Sequence, residues 1–287
     1  MQIDQETRMF GLVGYPLGHS LSPFMHNLAF TAMGINAVYL PFPVKPDRVS
    51  LVVEAARTLG VQGFNVTIPF KESIIPFLDE ISPEARACGS VNAVLIKENL
   101  AVGHNTDGIG FMDSLEQAGV KVPESAIVLG AGGAARAIGC QLANRGALTV
   151  FLNRTPERAV NLARYITKVT RQDSRGLAWN DPRIQGFLRT AELVVNTTPV
   201  GMYPNTEESP PLNLQQLNPK AAVSDIIYNP ITTRFLLEAA RLGFKTINGL
   251  GMFVSQGVRS FEIFTGERAP RQLMEDQLRG RLEKNEI

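Results

Sequence analysis

Ala126-Ile127-Val128-Leu129-Gly130-Ala131-Gly132-Gly133-Ala134-Ala135 is the stretch that decides how the second half of this chain folds. Its four apolar residues read as a buried strand, and the glycines lead directly into an alanine-rich helix. Glycines at this spacing often mark an ordinary loop. Here the strand before them and the helix after them give each position a distinct role. Gly130 permits a tight turn, Gly132 lets a pyrophosphate approach the backbone, and Ala135 lets the helix lie close on the sheet. The helix start offers phosphate its unpaired N–H groups and the positive end of its dipole. Gly130, Ala131, Gly132, Gly133 and Ala134 are therefore the expected dinucleotide-binding residues.

About 20 residues beyond such a turn, a carboxylate normally accepts a hydrogen bond from the adenosine ribose. This chain has no acid there. The next strand ends in Asn153-Arg154-Thr155, with Arg158 one turn later. Two guanidinium groups and a hydroxyl suit a 2′-phosphate better than a bare hydroxyl, because Arg forms charge-assisted, often bidentate bonds to phosphate oxygens. NADP is thus expected over NAD. The alternative is that Arg154 and Arg158 are a solvated pair at a helix start.

Working outward, strands at 148–152, 193–195, 222–226 and 245–247 alternate with helices at 108–118, 133–145, 156–169 and 232–242, the pattern of a doubly wound parallel sheet. The first hundred residues alternate as well. Strands at 9–14, 37–41 and 63–66 enclose a helix opened by Ser22 as N-cap with Pro23, and a second helix from Asp47 to Leu59 stopped by Gly60. Ser82-Pro83-Glu84 starts another helix, and 93–96 with 100–103 form a hairpin around Glu98-Asn99. The tail is helical at 252–264 and 270–283. The fold class is therefore α/β, in two domains whose ligands gather outside the carboxyl ends of the strands.

Composition narrows the partners. Lys and Arg number 28 against 27 Asp and Glu, so no net field draws nucleic acid or an anionic membrane. Asp4, Glu6 and Arg8 leave no room for a signal-peptide core, and no apolar stretch reaches the roughly 18 residues of a membrane span. The expectation is a cytoplasmic protein with a small-molecule substrate. Cys88 and Cys140 lack any ligand spacing and read as buried reduced thiols; with only His19, His26 and His104 besides, no metal site is expected.

A second informative stretch is Gly63-Phe64-Asn65-Val66-Thr67-Ile68-Pro69-Phe70-Lys71, which delivers Asn, Thr and Lys to the end of a short strand. With 14–27, Gly89-Ser90-Val91-Asn92, Asn105-Thr106-Asp107-Gly108, Tyr228-Asn229-Pro230, Gly249-Leu250-Gly251-Met252 and Gln256-Gly257, it resembles the shikimate dehydrogenase family, in the family's order over almost the whole chain. The resemblance implies a substrate domain at 1–106, an NADP-binding Rossmann domain at 107–248, and C-terminal helices at 249–287 that return to the substrate domain, with an interdomain cleft between. It also implies a homodimer. Ser20 and Ser22 would bind the substrate carboxylate. Asn65, Thr67, Asn92 and Gln256 would hold ring hydroxyls, Tyr228 would lie beside nicotinamide and substrate, and Ile226 and Gly249 would join the cofactor site. Lys71 and Asp107 would contact substrate and carry the acid–base chemistry that accompanies hydride transfer between NADP and shikimate or 3-dehydroshikimate, a reaction of aromatic amino acid and chorismate biosynthesis; which of the two is the base stays open. Three alternatives remain: quinate or dual quinate/shikimate turnover, a different NADP enzyme such as a folate dehydrogenase, and a nucleotide-sensing module without turnover.

Overall fold

The structure, a computed structural model, describes residues 3–18 and 20–284, so His19 lies outside the described residues. The chain divides into two compact units, one of residues 1–106 with 254–287, the other Asp107–Phe253. The second division falls inside a helix, five residues beyond the end of the Rossmann domain expected at 248.

In the first unit β1 (Arg8–Gly14), α1 (Ser22–Ala32), β2 (Ala37–Pro43), α2 (Val52–Thr58) and β3 (Val61–Val66) alternate as the sequence predicts. They are followed by β4 (Glu80–Ile81), α3 (Pro83–Cys88), β5 (Ala93–Lys97) and β6 (Leu100–His104). The sheet order is β2-β1-β3-β5-β6-β4. Parallel pairing joins β1 to β2 and β3, whereas β5 runs antiparallel to β3 and β6, so the sheet is mixed. The β5–β6 turn places Glu98 at φ 51° and Asn99 at φ 67°, the two left-handed residues that a tight hairpin requires. Around Phe64, Phe70, Ile74, Val91 and Val94 a core closes, with at most 1% of each side chain exposed.

Two local readings need correction. Ser22 is not the N-cap of α1 but its first residue: Leu21 occupies the cap, and the Ser20 hydroxyl accepts the Ser22 N–H at 3.3 Å. Ser20 supplies the acceptor the helix start needs, which frees Ser22 to enter the helix. The helix expected over 47–59 is split into a 3₁₀ segment, Pro46–Leu51, and α2; it ends at Gly60, whose φ of 71° suits the terminating position.

The second unit begins with α4 (Asp107–Gln117) and continues through β7 (Ser125–Leu129), α5 (Gly133–Asn144), β8 (Leu148–Asn153), α6 (Pro156–Thr170), β9 (Ser174–Ala178), α7 (Ile184–Thr190), β10 (Leu193–Asn196), β11 (Ala222–Asp225), α8 (Arg234–Arg241) and β12 (Lys245–Ile247). Its sheet, β12-β11-β10-β7-β8-β9, pairs in parallel throughout. Strand order reverses between β7 and β10, so the fold is a doubly wound Rossmann-type sheet with its switch point beside the glycine turn. β9 and α7 escape the sequence reading. In the Ser174–Ala178 strand, Gly176 interrupts the apolar pattern, and a Cβ there would overlap the Ala159 backbone of α6, so close helix–sheet packing dictates the residue. The chain ends in α9 (Gly249–Thr265) and α10 (Arg271–Glu283). Among the described residues no helix is long and apolar enough to cross a membrane.

Candidate active site

In the first unit Ser20 and Ser22 follow the carboxyl end of β1, and Asn65, Thr67 and Lys71 lie at or just beyond that of β3. Thr67 donates its N–H to the Val13 carbonyl at 2.9 Å, and a Cβ on Gly14 would overlap the Thr67 methyl, so Gly14 is what admits Thr67. Lys71, half-buried, is fixed through its carbonyl, which accepts the Val91 N–H at 2.7 Å next to Asn92. Ser20 donates to the Ser22 hydroxyl at 3.3 Å, pairing two hydroxyls at the start of α1, where the helix dipole favours an anion.

Asn65 lies within a buried hydrogen-bond network. It is 5% exposed; its amide donates to the Asn92 carbonyl at 3.0 Å and to Ser260 Oγ at 2.8 Å, and its oxygen accepts from Tyr39 at 2.8 Å. Both donors are thus spent inside the protein, which makes Asn65 a buried strut holding β3 to α9. Asn92 continues the network: it donates to Thr106 Oγ1 at 2.9 Å and accepts the Thr106 N–H at 2.7 Å. Ser260 lies 3.3 Å from the Thr106 hydroxyl and donates to the Gln256 carbonyl at 2.9 Å, one helical turn back. Gly257 packs against Met25 so closely that a Cβ would overlap it, which sets Gln256 in α9 beside α1. Tyr39, Thr106 and Ser260 carry no individual sequence signal, because the contacts Tyr39–Asn65, Thr106–Ser260 and Ser260–Asn65 span 26, 154 and 195 residues.

His26 is buried, its ring stacked on Tyr39 at 4.3 Å with 3° between planes, and its Nδ1 has no hydrogen-bond partner. Burial alone depresses its pKa to about 3, so the ring is neutral and structural. His104 is half-buried on β6, with its pKa lowered by burial and partly offset by the Glu84 carboxylate. Cys88 and Cys140 are buried free thiols, and burial pushes the Cys140 thiol up to about 11. Among the described residues no cluster of His, Cys, Asp or Glu could hold a metal.

In the second unit the glycine turn meets the requirements of a dinucleotide. Gly130 has φ 115°, and a Cβ there would lie 2.6 Å from Thr197 Oγ1, so only glycine fits. A Cβ on Gly132 would meet nothing within 4 Å: the space in front of it is open to an approaching pyrophosphate. No side chain caps α5, which leaves its first N–H groups for a ligand, while Ala135 is fully buried against the sheet. Asn153 donates to the Thr155 carbonyl at 3.0 Å and shapes the turn that carries Arg154. Arg154 and Arg158 are exposed, and neither guanidinium has a hydrogen bond or ion pair among the described residues. Thr155 occupies the N-cap of α6 without a side-chain cap bond.

Asp107 is buried, 5% exposed, in the first turn of α4, where the helix dipole favours a carboxylate. Tyr228 stacks on Phe253 at 4.2 Å. Ile226 donates its N–H to the Asn196 carbonyl at 3.1 Å, and Gly249 donates its N–H to the Ile227 carbonyl at 3.1 Å; a Cβ on Gly249 would overlap the Ile226 carbonyl. A concavity of about 540 Å³ lies apart from these residues, between α6, β9 and α7.

A glycine turn at the switch point of a parallel sheet, with exposed arginines at the end of the adjacent strand that no described residue engages, defines a dinucleotide-binding α/β protein. Comparison with known proteins narrows the class. Residues 12–94 match the model of the shikimate dehydrogenase substrate binding domain, and residues 249–279 match that of the shikimate 5′-dehydrogenase C-terminal domain. The chain is 43% identical over 285 residues to a Syntrophomonas wolfei protein named shikimate dehydrogenase (NADP+), covering 99% of this chain and 98% of that one. A crystal structure of a shikimate dehydrogenase in complex with NADP+ superposes with a TM-score of 0.90 at 38% identity, covering 98% of both chains. Another, shikimate 5-dehydrogenase from Listeria monocytogenes in complex with shikimate and NAD, gives 0.90 at 35% identity and covers 97% of this chain and 98% of that one. The chain belongs to the shikimate dehydrogenase family.

Proposed function

We propose that this protein is an NADP-dependent shikimate dehydrogenase, which reversibly reduces 3-dehydroshikimate to shikimate in the cytoplasm, as a homodimer. The observation that carries the cofactor is a pair of exposed arginines, Arg154 and Arg158, with no partner among the described residues, at the end of the strand next to a glycine turn that has open space before Gly132. Bound NADP supplies the hydride acceptor or donor. In this reading Gly130 to Ala134 receive the diphosphate, Asn153 to Thr155 with Arg158 receive the adenosine 2′-phosphate, and Ile226 and Gly249 flank the nicotinamide half.

On the substrate side, Ser20 and Ser22 hold the carboxylate at the start of α1. Thr67, Asn92, Tyr228 and Gln256 orient the ring and its hydroxyls, while Asn65, its donors already spent, acts by positioning β3 and Asn92. Lys71 delivers a proton to the C3 oxygen as the hydride reaches C3, and takes it back in the oxidative direction. Asp107 shares the acid–base work of that exchange. Net, one ketone, one hydride and one proton become one secondary alcohol. The deciding measurement is a panel of initial rates with shikimate and quinate, each with NADP+ and NAD+. Turnover is expected to be fastest with shikimate and NADP+. Faster turnover of quinate would reassign the substrate, and cofactor binding without any turnover would reduce the protein to a nucleotide sensor.

A further inference from the structure

Asp225 is a fully buried carboxylate at the end of β11 that takes no part in the proposed reaction. Three segments donate to it. Asn196 Nδ2, at the end of β10, reaches both oxygens at 3.2 Å; the Ile227 N–H reaches Oδ1 at 3.0 Å; and Thr233, the N-cap of α8, reaches Oδ2 at 2.8 Å. All are neutral, and burial pushes the carboxyl up to about 6. Burying a carboxylate without a cation costs free energy unless every lone pair is used, so its presence here calls for a reason beyond packing.

Its place in the sheet supplies one. A dinucleotide lies across the carboxyl edge of a doubly wound sheet with its diphosphate at the switch point. The arginines mark the β8 side for adenosine, so the nicotinamide half falls over the ends of β10 and β11. Both of those ends are tied to Asp225. The Asn196 oxygen accepts the Thr198 N–H at 3.0 Å and its hydroxyl at 2.7 Å, while Thr197 donates to the Leu129 carbonyl, just before the glycine turn. The Ile227 carbonyl in turn takes the Gly249 N–H at 3.1 Å. We infer that Asp225 is a positioning residue for the nicotinamide half of the cofactor, clamping the Thr197–Thr198 loop and the Ile226–Tyr228 segment in one fixed relation.

The inference rests on the dinucleotide reading of this unit, and its test separates the two ends of the cofactor. Asp225→Asn keeps shape and one acceptor but turns an N–H toward the Asn196 amide. Calorimetric affinities for NADPH and for 2′,5′-ADP, which lacks the nicotinamide half, are compared in wild type, Asp225→Asn and Asp225→Ala. NADPH affinity should fall by about tenfold, the scale of one lost charged hydrogen bond, with 2′,5′-ADP affinity unchanged. In turnover kcat should fall by up to about 10²-fold, as for a misplaced reacting group, while KM for shikimate holds. The double variant Asn196→Asp/Asp225→Asn, which reverses the pair, should recover part of the loss. Should Asp225→Ala fail to fold, Asp225→Asn and Thr233→Val carry the comparison. Equal losses for both ligands, or none for either, would overturn the inference. Absence of shikimate turnover in the wild type would remove the substrate assignment and leave the two-ligand comparison standing.

Discussion

Lowering the pH from 7 to 5 should weaken the first unit by about 2 kcal/mol through His26, with His104, its pKa also lowered by burial, acting in the same sense. The ring is buried against Tyr39, with a folded pKa of about 3 against 6.5 in the unfolded chain. Below pH 6.5 the unfolded chain binds a proton that the fold refuses. Stability is therefore intact above pH 6.5 and lost progressively as the pH falls toward 3, at about 1.4 kcal/mol per pH unit. By pH 5 that amounts to about 2 kcal/mol, or roughly a 1 M drop in a urea midpoint at a slope of about 2 kcal/mol per molar.

Asp225 works in the opposite sense in the second unit. Its folded pKa of about 6 exceeds the ordinary 3.8, so acidification through that range stabilises the unit that holds it. The two units should thus part company in acid. Trp179, the only tryptophan, reports on the second unit by fluorescence, while far-ultraviolet circular dichroism reports on both. Urea titrations at pH 7 and pH 5 should show the dichroism midpoint falling further than the fluorescence midpoint. His26→Phe, which keeps a ring on Tyr39 but cannot titrate, should abolish most of the difference. A variant whose dichroism midpoint falls with pH as steeply as the wild type would refute the reasoning.

Lys71→Ala should cut kcat by about 10²-fold or more, the usual scale for an acid–base group, with folding unchanged by circular dichroism; near-normal turnover would remove Lys71 from the chemistry. Arg154→Ala should raise KM for NADPH and leave KM for NADH nearly unchanged in steady-state assays, whereas equal losses with both would mark the arginine as merely solvated. Gly132→Ala should fold with an unchanged melting temperature, since its Cβ meets no protein atom, yet lose cofactor affinity in a calorimetric titration. Gly130→Ala, strained by its positive φ and blocked by Thr197, should instead lower the melting temperature by several degrees, on the order of 1–2 kcal/mol or more.

Much of this molecule is legible in one dimension because it is built from local rules. An apolar run, a glycine turn and an alanine-rich helix are neighbours in the chain, and the conformational needs of Gly130 and Gly132 are set within a few residues. The hairpin at Glu98-Asn99 and the stop at Gly60 follow from backbone preference in the same way. The β9–α7 segment does not, because Gly176 is chosen by the helix packed on it rather than by its own strand. Ser22 resembles a cap because Ser-Pro usually is one, and nothing in the local residues reveals that Leu21 holds the cap position while Ser20 supplies the acceptor.

Residue order alone establishes the kind of chemistry on offer: a phosphate-binding turn, arginines where an acid would select NAD, and a lysine and hydroxyl-binding side chains at strand ends. Which polar groups stay available and which are consumed emerges only when the chain is packed in three dimensions. In the sequence Asn65 shows only its motif and Asp225 nothing at all; the fold puts the Asn65 donors on Asn92 and Ser260 and closes Asn196, Ile227 and Thr233 around Asp225. A hydrogen bond is satisfied by whatever lies within about 3 Å, and proximity between residues far apart in sequence exists only after the chain has folded.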